Sequence, residues 1–278
     1  MNKTINSTKT LTDGNEMPYL GLGTWRARGK ECRHAVTFAL NHSYSMIDTA
    51  QMYENEKQVG DGWKESGQSR DNIFISTKIS NQNQGFTQSK EAFKKSLTDL
   101  QTDYIDLLMI HWPDIGNFSR TTATWEALID LQKAGMAKSI GVCNFTIDLI
   151  QKLIDESNVI PAVNQVEFHV FLYQKELLEF CNEKHIQIEA YSPIARARFL
   201  KNDTLQKIAK KYDKTAAQIM LSWCINHDLV VIPKSVHENR ILENADIFFE
   251  LEKEDMKEMD NIEFEQRLVK GGWSPPSW

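Results

Sequence analysis

Short apolar runs recur along the chain at intervals that leave room for a helix between each pair. They fall at Leu20–Trp25, Met46–Ala50, Ile73–Lys78, Tyr104–His111, Ala137–Cys143, Ala162–Glu167, Ile186–Ser192 and Leu229–Ser235. The intervening segments combine helical spacing with charged outer faces. In Ser89–Leu100, for instance, Phe93, Leu97 and Leu100 form an i, i+4, i+7 stripe. Eight strand-like runs separated by helix-length segments predict parallel βαβ units. A doubly wound sheet and a (β/α)8 barrel both satisfy this alternation, and the number of runs favours the barrel. Ahead of the first run, Asp13-Gly14 supplies residues of a tight two-residue turn, which predicts an N-terminal β-hairpin closing the bottom of the barrel.

Polar residues fall at the ends of these runs. Successive runs finish on or just before Asp48, Lys78, His111, Asn144, Gln165, Tyr191 and Lys234. In a barrel all strand C-termini open on one face, so residues distant in the chain meet at one mouth. Taken singly, Asp48 reads as a helix cap and Tyr53 as a packing residue. A lysine ending a buried strand, by contrast, needs a partner. Together Asp48, Tyr53, Lys78 and His111 suit a reaction that forms an alkoxide and protonates it. Tyrosine ordinarily titrates near ~10, an adjacent ammonium favours phenolate, and an aspartate holds that ammonium charged. A histidine beside them orients a carbonyl oxygen or shares its proton.

The 278 residues suit a single unit spanning 1–278, with no linker or compositional break. Net charge is −6 without a Lys/Arg block, which argues against nucleic acid or anionic membrane as a partner. No apolar stretch approaches a membrane span, and the N-terminus lacks a secretory h-region. Cys32, Cys143, Cys181 and Cys224 form no CxxC pair, the pattern of reduced thiols in a cytoplasmic protein. No metal site is expected: His111 and His169 lack HxH or HExxH company and a carboxylate cluster.

Three stretches carry a family resemblance: DTAQMYENEKQVG (Asp48–Gly60), KSIGVCNF (Lys138–Phe145) and IPKSVHENRILEN (Ile232–Asn244). LGLGTW, IFISTK, YIDLLMIHWP, NQVEFH and AYSPIAR accompany them in order. From about Thr10 to about Ile262 the sequence resembles the aldo-keto reductases, in their 2,5-diketo-D-gluconate reductase-like and broad aldehyde reductase branch. The resemblance implies a (β/α)8 barrel reducing aldehydes and ketones with NADPH, in which Asp48, Tyr53, Lys78 and His111 are catalytic. It implies further that Asn144 and Gln165, with Cys143 beside them, hold the nicotinamide carboxamide, and that Tyr191 stacks on the ring. By the same resemblance Gly23, Thr24 and Asp48 lie near the ribose, and Ser192, Pro193 and Ile194 approach the pyrophosphate. Lys234, Ser235 and Arg240 meet the 2′-phosphate, with Glu243 and Asn244 at adenine. Charge-assisted Lys and Arg donors beside a serine suit that dianion and favour NADP over NAD.

Trp25, Trp112 and the C-terminal Gly271–Trp278 are expected around the mouth, with Tyr53 and His111 also touching substrate. The family's usual Gly-Tyr/Phe-Arg is Ser43-Tyr44-Ser45 here, and its loop glycine in SPLARG is Ala197. If that glycine serves a positive φ, Ala197 reshapes the loop over the pyrophosphate and alters cofactor affinity. A monomer acting on a small carbonyl compound is expected. The alternative is a non-catalytic NADP-binding barrel serving as a regulatory or structural subunit.

Overall fold

Alternation in the sequence becomes a closed parallel sheet. The computed structural model describes residues 3–262 and 265–275. A hairpin of β1 (Thr8–Thr10) and β2 (Glu16–Pro18) precedes the barrel strands. These are β3 (Leu22–Gly23), β4 (Met46–Asp48), β5 (Phe74–Ile79), β6 (Ile105–Ile110), β7 (Ala137–Cys143), β8 (Val163–Glu167), β9 (Gln187–Tyr191) and β10 (Val230–Val231). Each pairs in parallel with the next in chain order. Parallel bridges Leu20–Val231 and Gly23–Lys234 close the cylinder, backed by Gly21 N donating to Val231 O at 2.9 Å. Every predicted run therefore holds a barrel strand.

The strands are sandwiched between the barrel interior and a layer of helices, so every residue of β5 and β6, the polar ones included, is buried. On α3 (Phe86–Leu100), Phe93 and Leu100 are fully buried and Leu97 packs against the core, so the predicted stripe faces the sheet. The neighbouring helix α2 (Glu56–Glu65) approaches the end of α3 very closely. A Cβ at Gly60 would lie 2.4 Å from the Asp99 carbonyl oxygen, a backbone atom. Gly60→Ala is expected to cost about 1–3 kcal/mol through overpacking. A lower urea midpoint with an unchanged slope checks it.

The hairpin sits at the N-terminal end of the strands, where Asn15 Nδ2 donates to Lys138 O and Ser139 Oγ at 3.1 Å. Its turn corrects the expectation of a two-residue connection. Leu11 N bonds Asn15 O at 2.8 Å, leaving Thr12, Asp13 and Gly14 in the loop, with Gly14 at φ 83°. Gly14 thus supplies the left-handed residue of a three-residue turn, not half of a tight pair.

Candidate active site

Asp48 ends β4 opposite Ser76 of β5, and Lys78, two residues on, points to the same side as Ser76. Lys78 Nζ donates to Asp48 Oδ2 at 2.6 Å, Asp48 Oδ1 at 2.8 Å and Thr49 O at 2.8 Å. The lysine is fully buried. Burial is the largest influence and pulls the ammonium's pKa down, but the negative groups around it, Asp48 foremost, together outweigh it, and the Lys78 pKa is raised above its usual range. Asp48 Oδ2 also accepts from Ser76 Oγ at 2.8 Å and Gln165 Nε2 at 3.0 Å.

Past Asp48 the chain makes a short 3-10 turn, Gln51–Tyr53, and Asn55, just before α2, donates its side chain to Thr24 O and Ala27 O. This turn brings Tyr53 back over the strand ends. Lys78 Nζ lies 5.1 Å from its ring centroid, and the His111 ring meets it edge-on with centroids 5.6 Å apart. Burial pushes the Tyr53 phenol up, Lys78 opposes the shift, and Asp48 adds to it, for a net rise. The expected depression by lysine is thus present but outweighed, and Tyr53 is protonated at neutral pH. Burial first, and Lys78 second, hold the His111 imidazole well below its ordinary range, so it is neutral. Its Nδ1 is buried with no hydrogen-bond partner among the described residues.

These side chains open into a cleft of about 680 Å³, inside the range of about 300–1,000 Å³ typical of small-molecule sites. At one end lie Asp48, Tyr53, His111, Trp112 and Trp25. Next come Gly23, Asn144, Gln165 and Tyr191, where the Tyr191 hydroxyl donates to Asn144 Oδ1 at 2.8 Å and Asn144 Nδ2 to His111 O at 2.9 Å. Ser192, Pro193, Ile194, Lys234, Ser235, Arg240, Glu243 and Asn244 also line the cleft. Thr24 and Cys143 are buried and are not among the residues lining it. Thr24 Oγ1 is spent on Asp48 O at 2.8 Å, and the buried Cys143 Sγ lies 3.5 Å from Met109 Sδ. At the C-terminus the cleft residue is Val269; Gly271–Pro275 do not line it, and 276–278 lie outside the described residues. Glu167 fastens this segment by accepting the backbone N–H groups of Leu268 and Val269, each at 2.8 Å.

Sequence reasoning missed Arg26, Arg196 and Glu189. The two guanidinium carbons lie 4.4 and 4.7 Å from the Trp25 ring centroid, and both residues line the cleft. The adjacency of Arg26 to Trp25 was a usable signal. The convergence of Arg196 depends on an unusual turn in which Ala195, Arg196 and Ala197 have φ of 48°, 52° and 60°.

Residues 19–263 match the aldo/keto reductase family. The chain belongs to that family. This aldo-keto reductase is 44% identical to the glyoxal reductase of Bacillus subtilis over 270 residues, covering 96% of the chain and 97% of the relative. It is 42% identical to methylglyoxal reductase DkgA of Escherichia coli, covering 93% and 94%. Among solved structures, it matches the Bombyx mori aldo-keto reductase in complex with NADP with a TM-score of 0.89, at 33% identity over 96% of each chain. The protein is an NADP-dependent oxidoreductase of small carbonyl compounds. Its cleft fits that cofactor. Arg26, Arg196, Lys234 and Arg240 make no ion pair among the described residues, and Arg196 Nε is buried without a partner. Such free cations match a pyrophosphate and a 2′-phosphate. Among the described residues no helix is long and apolar enough to cross a membrane.

At Ala197 the aldo-keto reductase holds an L-residue where only glycine is unstrained. The loop thus keeps its left-handed path despite the side chain. Ala197→Gly is expected to stabilise the fold by about 0.5–1 kcal/mol, relief of strain outweighing the added unfolded-state entropy. Cofactor affinity is expected to be unchanged; chemical denaturation and NADPH titration check the two halves.

Proposed function

We propose that this aldo-keto reductase reduces small aldehydes and ketones, α-oxoaldehydes among them, with Tyr53 as proton donor. The observation carrying this reading is the Tyr53 phenol and the His111 imidazole edge-on at 5.6 Å, beside the buried Lys78 side chain, on the cleft wall. The names of the glyoxal and methylglyoxal reductases support the substrate class. NADPH supplies the hydride when bound. Asn144 and Gln165 would hold its carboxamide, Tyr191 its ring, and Gly23 and Asp48 its ribose. Ser192–Ile194 with Arg26 and Arg196 suit the pyrophosphate, and Lys234, Ser235 and Arg240 the 2′-phosphate, leaving Glu243 and Asn244 for adenine.

Tyr53 and His111 receive the carbonyl oxygen between them. Neutral His111 orients it, and the Tyr53 hydroxyl gives up its proton as the oxygen gains charge. The phenolate left behind is stabilised by Lys78, which Asp48 keeps cationic. Trp25 and Trp112 form apolar walls for the substrate. The four free cysteines are all buried, which suits a reducing cytoplasmic setting. Purified protein is expected to consume NADPH, followed by reduced-nicotinamide absorbance, when methylglyoxal is added, and NADH much more slowly. No consumption with glyoxal, methylglyoxal or an aromatic aldehyde overturns the reading.

A further inference from the structure

One fully buried acid takes no part in this chemistry. Glu189 lies on β9, paired in register with Gln165 of β8 and Val230 of β10. Its Oε2 accepts from Gln165 Nε2 at 2.8 Å, and the same nitrogen donates to Asp48 Oδ2 at 3.0 Å. Its Oε1 is buried with no partner among the described residues. The charged and titratable groups facing it are Asp48 from β4, Lys78 from β5 and Cys143 from β7, with the neutral Gln165 amide from β8. A single ammonium, already committed to Asp48, cannot neutralise a second carboxylate, and an ionised Glu189 would carry a buried charge on one hydrogen bond. A proton on Glu189 removes that cost.

We propose that Glu189 is a positioning residue: kept neutral by a proton of its own, it fixes the Gln165 amide so that the amide oxygen faces the cofactor's carboxamide. Both Gln165 N–H bonds are committed, one to Asp48 and one to Glu189. The remaining polar atom, Oε1, is an acceptor on the cleft wall, matched to a primary amide donor. Without Glu189, one N–H is freed and the amide can turn over, presenting a donor where an acceptor is needed. The proton has a second effect. An ionised Glu189 adds negative charge near the nicotinamide end of the cleft and favours the cationic oxidised ring over the neutral reduced one. Burial, and then Asp48, push the Glu189 carboxyl up to about 8, so this bias sets in only in mildly alkaline solution. The inference rests on the proposed placement of the carboxamide, but its tests read binding. Activity surviving in Tyr53→Phe would defeat the proposed donor and leave these results standing.

Two variants test the proposal. Glu189→Gln keeps an acceptor for Gln165 but cannot ionise. Glu189→Leu removes the acceptor. In the wild type, raising the pH from 7 to about 9 is expected to shift the ratio of NADP+ to NADPH affinity about tenfold toward NADP+, with no such shift in Glu189→Gln. The cofactor-free wild type is expected to show an infrared carboxylic-acid band at neutral pH that is absent from Glu189→Gln. Glu189→Leu is expected to bind NADPH about tenfold more weakly while binding adenosine 2′,5′-bisphosphate, which has no nicotinamide, unchanged. The proposal is overturned by the same pH-dependent ratio in Glu189→Gln and wild type, or by absence of the band from the wild type. Unchanged NADPH affinity in Glu189→Leu, or equal loss for both ligands, also overturns it. If Glu189→Leu does not fold, the Glu189→Gln titration and spectrum decide alone.

Discussion

Tyr53→Phe is expected to lower kcat for carbonyl reduction by roughly a hundredfold to ten-thousandfold, the contribution of a positioned general acid. The substitution removes one oxygen and leaves the ring, so its edge contact with His111 at 5.6 Å survives. NADPH binding is expected to stay close to wild type, since the hydroxyl makes none of the contacts that hold Asn144, Gln165 or Tyr191 in place. His111 is no substitute donor of comparable strength: burial and Lys78 keep it neutral. Stopped-flow turnover beside a cofactor titration separates the two effects, and undiminished turnover would refute the role.

The second large effect concerns the buried pair. Asp48→Asn and Lys78→Met are each expected to destabilise the protein by about 3–5 kcal/mol, because each strands a desolvated charge. The double substitution is expected to cost much less than the sum and to be as inactive as either single variant. Urea unfolding of the four proteins measures the coupling, and strict additivity would contradict it. The pH dependence has a definite sign. Lys78 has its folded pKa raised, so its stabilisation is complete below the ordinary lysine range and is lost only as pH rises through a still higher value. Between neutrality and about 10, wild-type stability should therefore show no loss from this pair. In Asp48→Asn, burial of Lys78 loses its main counterweight and the loss moves to lower pH.

Much of this was legible in the chain. A parallel barrel buries both faces of its strands, so β5 and β6 stood out as short runs rich in apolar residues. Their ends gave Lys78 and His111, and β4 gave Asp48. A strand-end position does not reveal which layer a side chain occupies, and the Cys143 thiol packs on Met109. The hairpin turn was misread because Gly14 alone does not fix loop length. Arg196 reaches Trp25 through three consecutive left-handed residues, a path that no propensity predicts for Ala-Arg-Ala. Nothing in the sequence singles out Glu189; its burial beside Asp48 depends on the packing of strands distant in the chain. The balance of forces on Tyr53 was also hidden, since burial depends on everything around the ring.

The three acceptors around Lys78 carry a last implication. Asp48 Oδ1, Asp48 Oδ2 and Thr49 O match the three hydrogens of the ammonium, at 2.6 to 2.8 Å. These acceptors anchor the ammonium, and Lys78 acts on Tyr53 mainly through its charge, with a lesser hydrogen-bond contribution. In the proposed reaction, a tyrosine on the wall of the open cleft regains its spent proton from solvent. The barrel interior supplies the field and the solvent supplies the proton, which separates the apparatus that tunes the acid from the route that recharges it.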